Sequence, residues 1–163
     1  WDFKQINDVV VLSRPLQYDL MAQPMLNGLK IRSARASDLE AINKVDAAFV
    51  APWRYSKDTL LKAMGHVDFS SVAELDGEIV GYQISSGGHG GGHLARLAVS
   101  PKCQGQGIGH ALLMEITQHY ERLGAPQITV NTQHDNSSSL ALYRAFGFEL
   151  TGEHYPVWQL EIT

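Results

Sequence analysis

Apolar and polar residues along the chain follow two periods, one typical of strands and one typical of helices. Period-two or short continuous apolar stretches predict strands, because successive side chains of a strand face opposite sides of a sheet. Such stretches cover residues 9–12, 29–32, 71–75, 78–85, 93–99 and 127–132, followed by a closing pair at 148–154 and 157–162. Asp76-Gly77 joins two of these strands and favours a tight hairpin.

Segments with apolar residues at helical spacing lie between the strands. Ser37 and Glu40 have the spacing of a capping box at the start of a first helix, and Ser56 is placed to cap a second. A third helix is predicted over 108–123 and a fourth over 138–146, and each is followed by a glycine, a common helix stop.

This alternation predicts one α/β layered domain. The chain has 163 residues, 44% of them hydrophobic, which is enough for one sizeable core. We place the domain at residues 29–163 and treat residues 1–28 as an N-terminal extension whose purpose the sequence leaves open. The run 87–93 is rich in glycine and is expected to be the loosest part of the chain.

Charge and composition exclude several classes of protein. The net charge of −4 argues against a nucleic-acid partner and would suit a cationic amine substrate. No apolar run reaches membrane-spanning length, so we expect no membrane partner. With Cys103 as the single cysteine, no internal disulfide can form. We therefore expect a cytoplasmic protein.

A glycine-dense turn between the strand ending at Val99 and the third helix predicts an anion site. Gly105, Gly107 and Gly109 lack Cβ atoms, so their backbone can bend and present N–H groups to a phosphate beside the positive end of a helix. The dinucleotide fingerprint fails because His110 stands where its last glycine belongs. The P-loop fails because no Lys-Ser or Lys-Thr follows.

The remaining pattern, Gln104-x-x-Gly107-x-Gly109, resembles the pyrophosphate signature of the GNAT acyltransferase superfamily. Residues 136–148, Asn-Ser-Ser-Ser-Leu-Ala-Leu-Tyr-Arg-Ala-Phe-Gly-Phe, resemble a later motif of the same superfamily. The resemblance implies a central mixed sheet whose parallel strands splay apart, flanked by helices. It also implies acetyl-CoA as acyl donor, without a metal. The coenzyme-binding residues it implies are Leu97, Ala98, Val99, Gln104, Gly105, Gln106, Gly107, Ile108, Gly109, Asn136 and Tyr143.

The resemblance also assigns Tyr143 as the general acid that protonates the departing thiolate. The alternative is a core aromatic, because Leu140, Tyr143 and Phe146 share an apolar stripe. Asn136 matches a contact to the coenzyme, and it can also cap the fourth helix.

The general base is open between three candidates. Counting back from Gln104, His93 occupies the position of the catalytic glutamate in the histone acetyltransferase branch. A histidine with its ordinary pKa of about 6.5 suits proton acceptance at neutral pH. His89 is the second candidate, and an ordered water is the third. A metal held by the two histidines is disfavoured, because the glycines between them disfavour a helix.

Acceptor specificity in this superfamily resides after the first helix and in the loop between the last two strands. The corresponding stretches, 51–55 and 152–158, are rich in aromatics, and their candidate substrate-binding residues are Trp53, Arg54, Tyr55, Glu153 and Tyr155. The expected function is acetyl transfer to a primary amine, on a small molecule or a protein N-terminus, by direct attack in a ternary complex. The alternative is a non-catalytic acyl-CoA-binding module. A homodimer is left open.

Overall fold

The computed structural model describes residues 2–16 and 24–162, in which seven strands form one mixed sheet. The strands are β1 (Asp2–Pro15), β2 (Leu29–Ser33), β3 (Phe69–Leu75), β4 (Glu78–Gly88), β5 (Gly91–Val99), β6 (Gln127–Gln133) and β7 (Glu149–Glu161). The helices are α1 (Leu39–Val45), α2 (Lys57–His66), α3 (Ile108–Arg122) and α4 (Ser137–Ala145), with 3₁₀ turns at Ala36–Asp38, Asp46–Ala48 and Pro101–Cys103.

The strand order is β2-β3-β4-β5-β6-β1-β7, and every neighbouring pair is antiparallel except β5–β6. Val72 packs in a cluster with residues of α1 and α2, whereas its neighbour Ala73 packs in a cluster with residues of α3. Because successive residues of a strand face opposite sides, the helices cover both faces of the sheet. The predicted α/β layered fold is confirmed.

Several local predictions hold in detail. Asp76 and Gly77 have φ values of +50° and +86° and close the β3–β4 hairpin. The Ser56 Oγ accepts a hydrogen bond from the Thr59 N–H at 3.1 Å and caps α2. Gly124 and Gly147, both at positive φ, follow α3 and α4.

The start of the first helix differs from the prediction. The Arg35 N–H donates to the Asp38 carboxylate at 2.7 Å, so the cap lies two residues before Ser37. Glu40 forms an ion pair with Lys57 instead. The predicted box was wrong because Asp38 carries the same chemistry two residues earlier and also reaches Arg32.

The closing pair of strands was also predicted wrongly. The residues assigned to a hairpin at 148–162 form the single strand β7, and β1 lies between β6 and β7. The segment 1–28, treated as an extension, thus supplies a strand inside the sheet. β7 is an edge strand, where the bulge near Gly152 and the missing N–H of Pro156 are tolerated, so the strand continues through both residues.

The glycine run 87–93 is also not a loose segment. It forms the paired ends of β4 and β5 around a turn at His89 and Gly90. A Cβ on Gly92 would lie 2.6 Å from the ring of Tyr120, which is fully buried on α3. Glycine is required here because helix and strand are in close contact.

The parallel pair β5–β6 separates part-way along its length. The register runs from Gly92–Ile128 to Leu94–Val130, while β5 continues to Val99, paired with β4 on its other side. Past Val130, β6 continues in register with β1. The two strands therefore diverge and leave backbone groups of β5 facing an opening.

Candidate functional site

The divergence of β5 and β6 opens into a cleft with a volume of about 560 Å³. The end of β5 forms one wall, the start of α3 forms the floor, and α4 forms the opposite wall. The lining residues are Ala48, Phe49, Leu97, Ala98, Val99, Cys103, Gln104, Gly105, Gly107, Ile108, Gly109, His110, Asn136, Ser138, Ser139, Ala141 and Leu142. A cleft of this size can hold a substantial part of an extended ligand.

The segment 104–109, hereafter the glycine loop, connects the strand side to α3. Gly105 and Gly107 have φ values of +77° and +85°, and a Cβ at either position would meet no atom within 4 Å. Their conformation, rather than crowding, thus requires glycine. The Gln104 side chain donates to the Val99 carbonyl at 3.1 Å and fixes the loop to the end of β5.

The glycine loop ends at the first turn of α3. Gly107 is the N-cap in a left-handed conformation, and no side chain caps the helix there. The first N–H groups of the helix are therefore available to a ligand, with the positive end of the helix dipole behind them. This arrangement favours an anion such as a phosphate.

The opposite wall is set by α4. The Asn136 Oδ1 accepts a hydrogen bond from the Ser139 N–H at 3.2 Å, so Asn136 caps α4 while it lines the cleft. A Cβ on Gly109 would lie 3.0 Å from Leu142, so this glycine lets α3 and α4 approach closely. Both roles expected for Asn136 are geometrically compatible.

The cleft brings most of the residues expected to bind coenzyme together. Nine line it, namely Leu97, Ala98, Val99, Gln104, Gly105, Gly107, Ile108, Gly109 and Asn136. Gln106 instead lines a neighbouring cavity between α3 and residues 24–26. Tyr143 lies elsewhere, as described next.

Tyr143 is buried in the core behind the cleft. Its side chain is 4% exposed and its ring lies 5.7 Å from that of Phe148, centroid to centroid. Among the described residues that line the cleft, its α4 neighbour Leu142 is present and Tyr143 is not. Burial raises the pKa of the Tyr143 hydroxyl well above its ordinary value, so the hydroxyl keeps its proton at neutral pH.

His93 lies where β5 and β6 are still paired, before they diverge. A ring nitrogen of His93 and the Thr129 hydroxyl on β6 are 2.8 Å apart in a hydrogen bond. Burial lowers the pKa of His93 below its ordinary value, which favours the neutral ring. His89 is exposed at the tip of the β4–β5 hairpin, four residues further from the cleft.

The expected acceptor-binding residues fall into two separate places. Trp53, Arg54 and Tyr55 belong to the α1–α2 loop (residues 46–56), whose Ala48 and Phe49 line the cleft. Glu153 and Tyr155 are exposed on the edge strand β7, so the loop predicted at 152–158 is absent from the described structure and is replaced by continuous strand.

A buried network around Arg96 was not found from the sequence. The Arg96 Nε–H donates to Asp46 at 2.7 Å and to the Tyr82 hydroxyl at 2.9 Å. The available signal was that Asp46 and Arg96 each interrupt an apolar run, and charged residues are rarely buried without a partner.

Comparison with known proteins agrees with this geometry. A model of the Acetyltransferase (GNAT) family matches residues 39–148, more than half of the chain. The chain belongs to the GNAT acetyltransferase family. The resemblance drawn from the two motifs is thus confirmed.

Individual relatives agree with this family assignment. The chain is 37% identical to an uncharacterized N-acetyltransferase of Methanocaldococcus jannaschii over 91 residues, which are 55% of this chain and 58% of that protein. A GCN5-related N-acetyltransferase from Sphaerobacter thermophilus superposes with a TM-score of 0.78 and 21% identity, over 96% of this chain and 52% of that one.

The PaiA N-acetyltransferase of Thermoplasma acidophilum, determined in complex with coenzyme A, gives a TM-score of 0.67 and 21% identity, over 80% of this chain and 98% of that one. At this level of identity the structural likenesses show the fold. This chain spans little more than half the length of the first two relatives. Within the described residues, no helix is both long and apolar enough to span a membrane.

Proposed function

We propose that this GNAT-family protein transfers an acetyl group from acetyl-CoA to a primary amine, by direct attack within a ternary complex. The observation that carries the proposal is the coincidence of the diverging strands β5 and β6 with an open glycine loop at the end of β5. The diverging strands suit the pantetheine and thioester, and the glycine loop suits the pyrophosphate.

The residues of the cleft fit such a ligand. The backbone of Leu97 to Val99 is paired with β4 on one side only, and the Val99 carbonyl accepts a hydrogen bond from the Gln104 side chain. The other N–H and C=O groups that are not paired with β4 are available to amide groups of a pantetheine. The N–H groups of the glycine loop and of the first turn of α3 are available to phosphates. Bound acetyl-CoA would supply an activated thioester carbonyl.

The acceptor must lose a proton before it attacks, because an alkyl ammonium has a pKa of about 10.4. His93 is proposed as the proton acceptor. Its lowered pKa supports this role, since a neutral ring can accept a proton at neutral pH. His89 is less suited, because it lies at the far tip of the hairpin. An ordered water is the alternative.

The departing thiolate is stabilised when an acid protonates it. Tyr143 is proposed for this role, because its buried hydroxyl holds its proton at neutral pH and its neighbour Leu142 lines the cleft. The ring of Tyr143 is fixed by packing against Phe148.

The acceptor is proposed to be cationic in its resting form, on a small molecule or a protein N-terminus. The net charge of −4 supports attraction of a cation. The aromatic residues of the α1–α2 loop, Trp53 and Tyr55, are proposed to contact the acceptor, together with Arg54. Glu153 and Tyr155 on β7 are further candidates.

One observation favours a competing function. Tyr143 and His93 are not among the described residues that line the cleft, whereas nearly all expected coenzyme ligands are. This is also the arrangement of a module that binds acyl-CoA without turning it over.

A pair of measurements separates the two functions. Calorimetric titration with coenzyme A and acetyl-CoA tests binding, and a thiol-release assay with acetyl-CoA and a panel of small amines and N-terminal peptides tests turnover. Release of thiol that depends on an acceptor supports the transferase. Tight binding without product from any acceptor supports the binding module, and the absence of coenzyme binding contradicts both.

A further inference from the structure

Arg96 lies on β5 directly before the three residues that form the strand wall of the cleft. It pairs with Ile84 of β4, and Leu94 pairs with Ser85, so Ala95 forms a bulge between them. The Arg96 side chain is only 9% exposed. Burying a guanidinium costs free energy unless fixed partners compensate for the lost hydration. The partners of Arg96 therefore show which part of the structure this side chain holds in place.

Two aromatic rings cover the flat faces of the guanidinium. The Arg96 Cζ lies 3.9 Å from the centre of the Phe49 ring and 3.6 Å from the centre of the Tyr55 ring. Two rings at these distances would collide on one face, so each covers a different face. Phe49 and Tyr55 lie at opposite ends of the α1–α2 loop, and Arg96 therefore holds both ends by cation–π contacts.

The edge of the guanidinium is held by the same loop. Its Nη2 donates to the Trp53 carbonyl at 2.8 Å, and its Nε donates to Asp46 at 2.7 Å. Asp46 is fully buried and also accepts from the Tyr55 N–H at 2.7 Å. Four residues of one loop thus depend on a single side chain of β5.

The geometry points to Arg96 as a positioning residue that holds the α1–α2 loop against β5 as a wall of the cleft and thereby sets the affinity for the acceptor. The statement on the acceptor rests on the proposed function. Phe49 lies in the cleft wall and on the guanidinium at once, so displacement of the loop changes the shape of the cleft beside Leu97 and Ala98. No residue of the glycine loop, which the structure describes in full, is among the hydrogen-bond or cation–π partners of Arg96.

A second arginine network offers a matched control. Arg32 on β2 binds Asp38 at 2.7 Å and Glu74 at 2.7 Å, with its side chain 18% exposed. None of these three residues lines the cleft. The same substitution at Arg32 disturbs an ion pair without touching the α1–α2 loop. Comparing it with the substitution at Arg96 therefore separates the effect of a weakened ion pair from the effect of lost loop contacts.

The test compares Arg96→Lys with Arg32→Lys. Lysine keeps the charge beside the carboxylates but has no flat faces, and its three donors share one nitrogen, so it cannot reproduce the separate Nε and Nη2 bonds to Asp46 and Trp53. For Arg96→Lys we expect faster hydrogen exchange at the amides of residues 48–56 and an acceptor KM raised about tenfold. Coenzyme affinity should fall less, by about twofold, because the N–H groups proposed to bind the phosphates make no contact with Arg96. Arg32→Lys is expected to change neither loop exchange nor acceptor KM.

A double variant, Arg96→Met with Asp46→Asn, removes the charge pair together and avoids an isolated buried carboxylate if a single variant folds poorly. Unchanged loop exchange in both Arg96→Lys and this double variant would overturn the proposal. So would an equal rise in exchange for Arg32→Lys, or a fall in kcat with KM unchanged. If the wild type transfers no acetyl group, the proposed function fails, and the exchange data still decide whether Arg96 holds the loop.

Discussion

Glycines lie at the start of β5 and in the glycine loop beyond its end, and the two places require glycine for opposite reasons. At the start, a Cβ on Gly92 would collide with the Tyr120 ring at 2.6 Å, and β5 is paired on both sides. Beyond the end, Gly105 and Gly107 face open space at positive φ, and β5 is paired on one side only. The first end is closed by packing, and the second is open toward a cleft.

Gly92 is required by packing, because atoms of Tyr120 lie where its side chain would be. Gly105 and Gly107 are required by their positive φ values, and they have open space around them. The candidate catalytic residues are divided in the same way, with His93 at the packed end and Tyr143 on α4, the helix that walls the open end. Four substitutions test this division.

Tyr143→Phe is expected to have the largest effect. Loss of the proposed general acid should lower kcat by about 10²–10⁴-fold, while the ring keeps its contact with Phe148 and coenzyme affinity is retained. The measurement is pre-steady-state turnover, under conditions in which chemistry limits the rate. Tyr120→Phe removes a buried tyrosine hydroxyl near the packed end and is the control, expected to retain turnover. Unchanged turnover in Tyr143→Phe would make Tyr143 a core residue only.

His93→Ala is expected to lower kcat/KM by about a hundredfold, the lower range for a general base. In the wild type, activity should rise with pH as the ring loses its proton. Because burial lowers the pKa of His93, the midpoint should lie below the ordinary value of about 6.5. The pH profile of kcat/KM is compared between wild type, His93→Ala, His89→Ala and the double variant. An inflection that survives in the double variant would exclude both histidines and favour an ordered water.

Gly92→Ala is expected to destabilise the fold by about 1–3 kcal/mol, because strand and helix must separate to admit the methyl group. A chain of this size should lose roughly 2–4 °C in Tm for each kcal/mol. Thermal unfolding measures this effect. Gly90→Ala lies in the same run, where a Cβ meets no atom within 4 Å, and should be nearly neutral. Equal losses in the two variants would contradict the packing role of Gly92.

Gly107→Ala is expected to have the smallest effect on the fold and a selective effect on binding. Alanine at φ +85° costs about 1–2 kcal/mol and shifts the glycine loop, so coenzyme affinity should fall about tenfold. Gly124→Ala, at φ +72° and also in open space beyond the other end of α3, carries a similar conformational cost. Calorimetric titration should show a loss of affinity in Gly107→Ala alone. A comparable loss of coenzyme affinity in both variants would attribute the effect to general backbone strain and not to the glycine loop.

Local interactions explain which predictions from the sequence were correct. The Asp76-Gly77 turn, the Ser56 cap and the stops at Gly124 and Gly147 depend on residues within a few positions of each other. The two motifs, at 104–109 and 136–148, likewise identified the family, and they contain ten of the seventeen described residues that line the cleft. Each motif combines a backbone conformation and a helix start, and short sequence determines both.

Contacts between distant residues explain what the sequence left undecided. The place of β1 between β6 and β7 depends on pairing across more than a hundred residues, and no local pattern distinguishes that partner from a hairpin within 148–162. Arg96 and Asp46 meet across 50 positions, so their network exists only once β5 and the α1–α2 loop pack together. The sequence by itself determined the presence of the four helices, the Asp76-Gly77 turn and the glycine loop. The tertiary structure alone decided the strand order, the packing role of Gly92 and the guanidinium that holds the cleft wall, because burial and pairing depend on the assembled sheet.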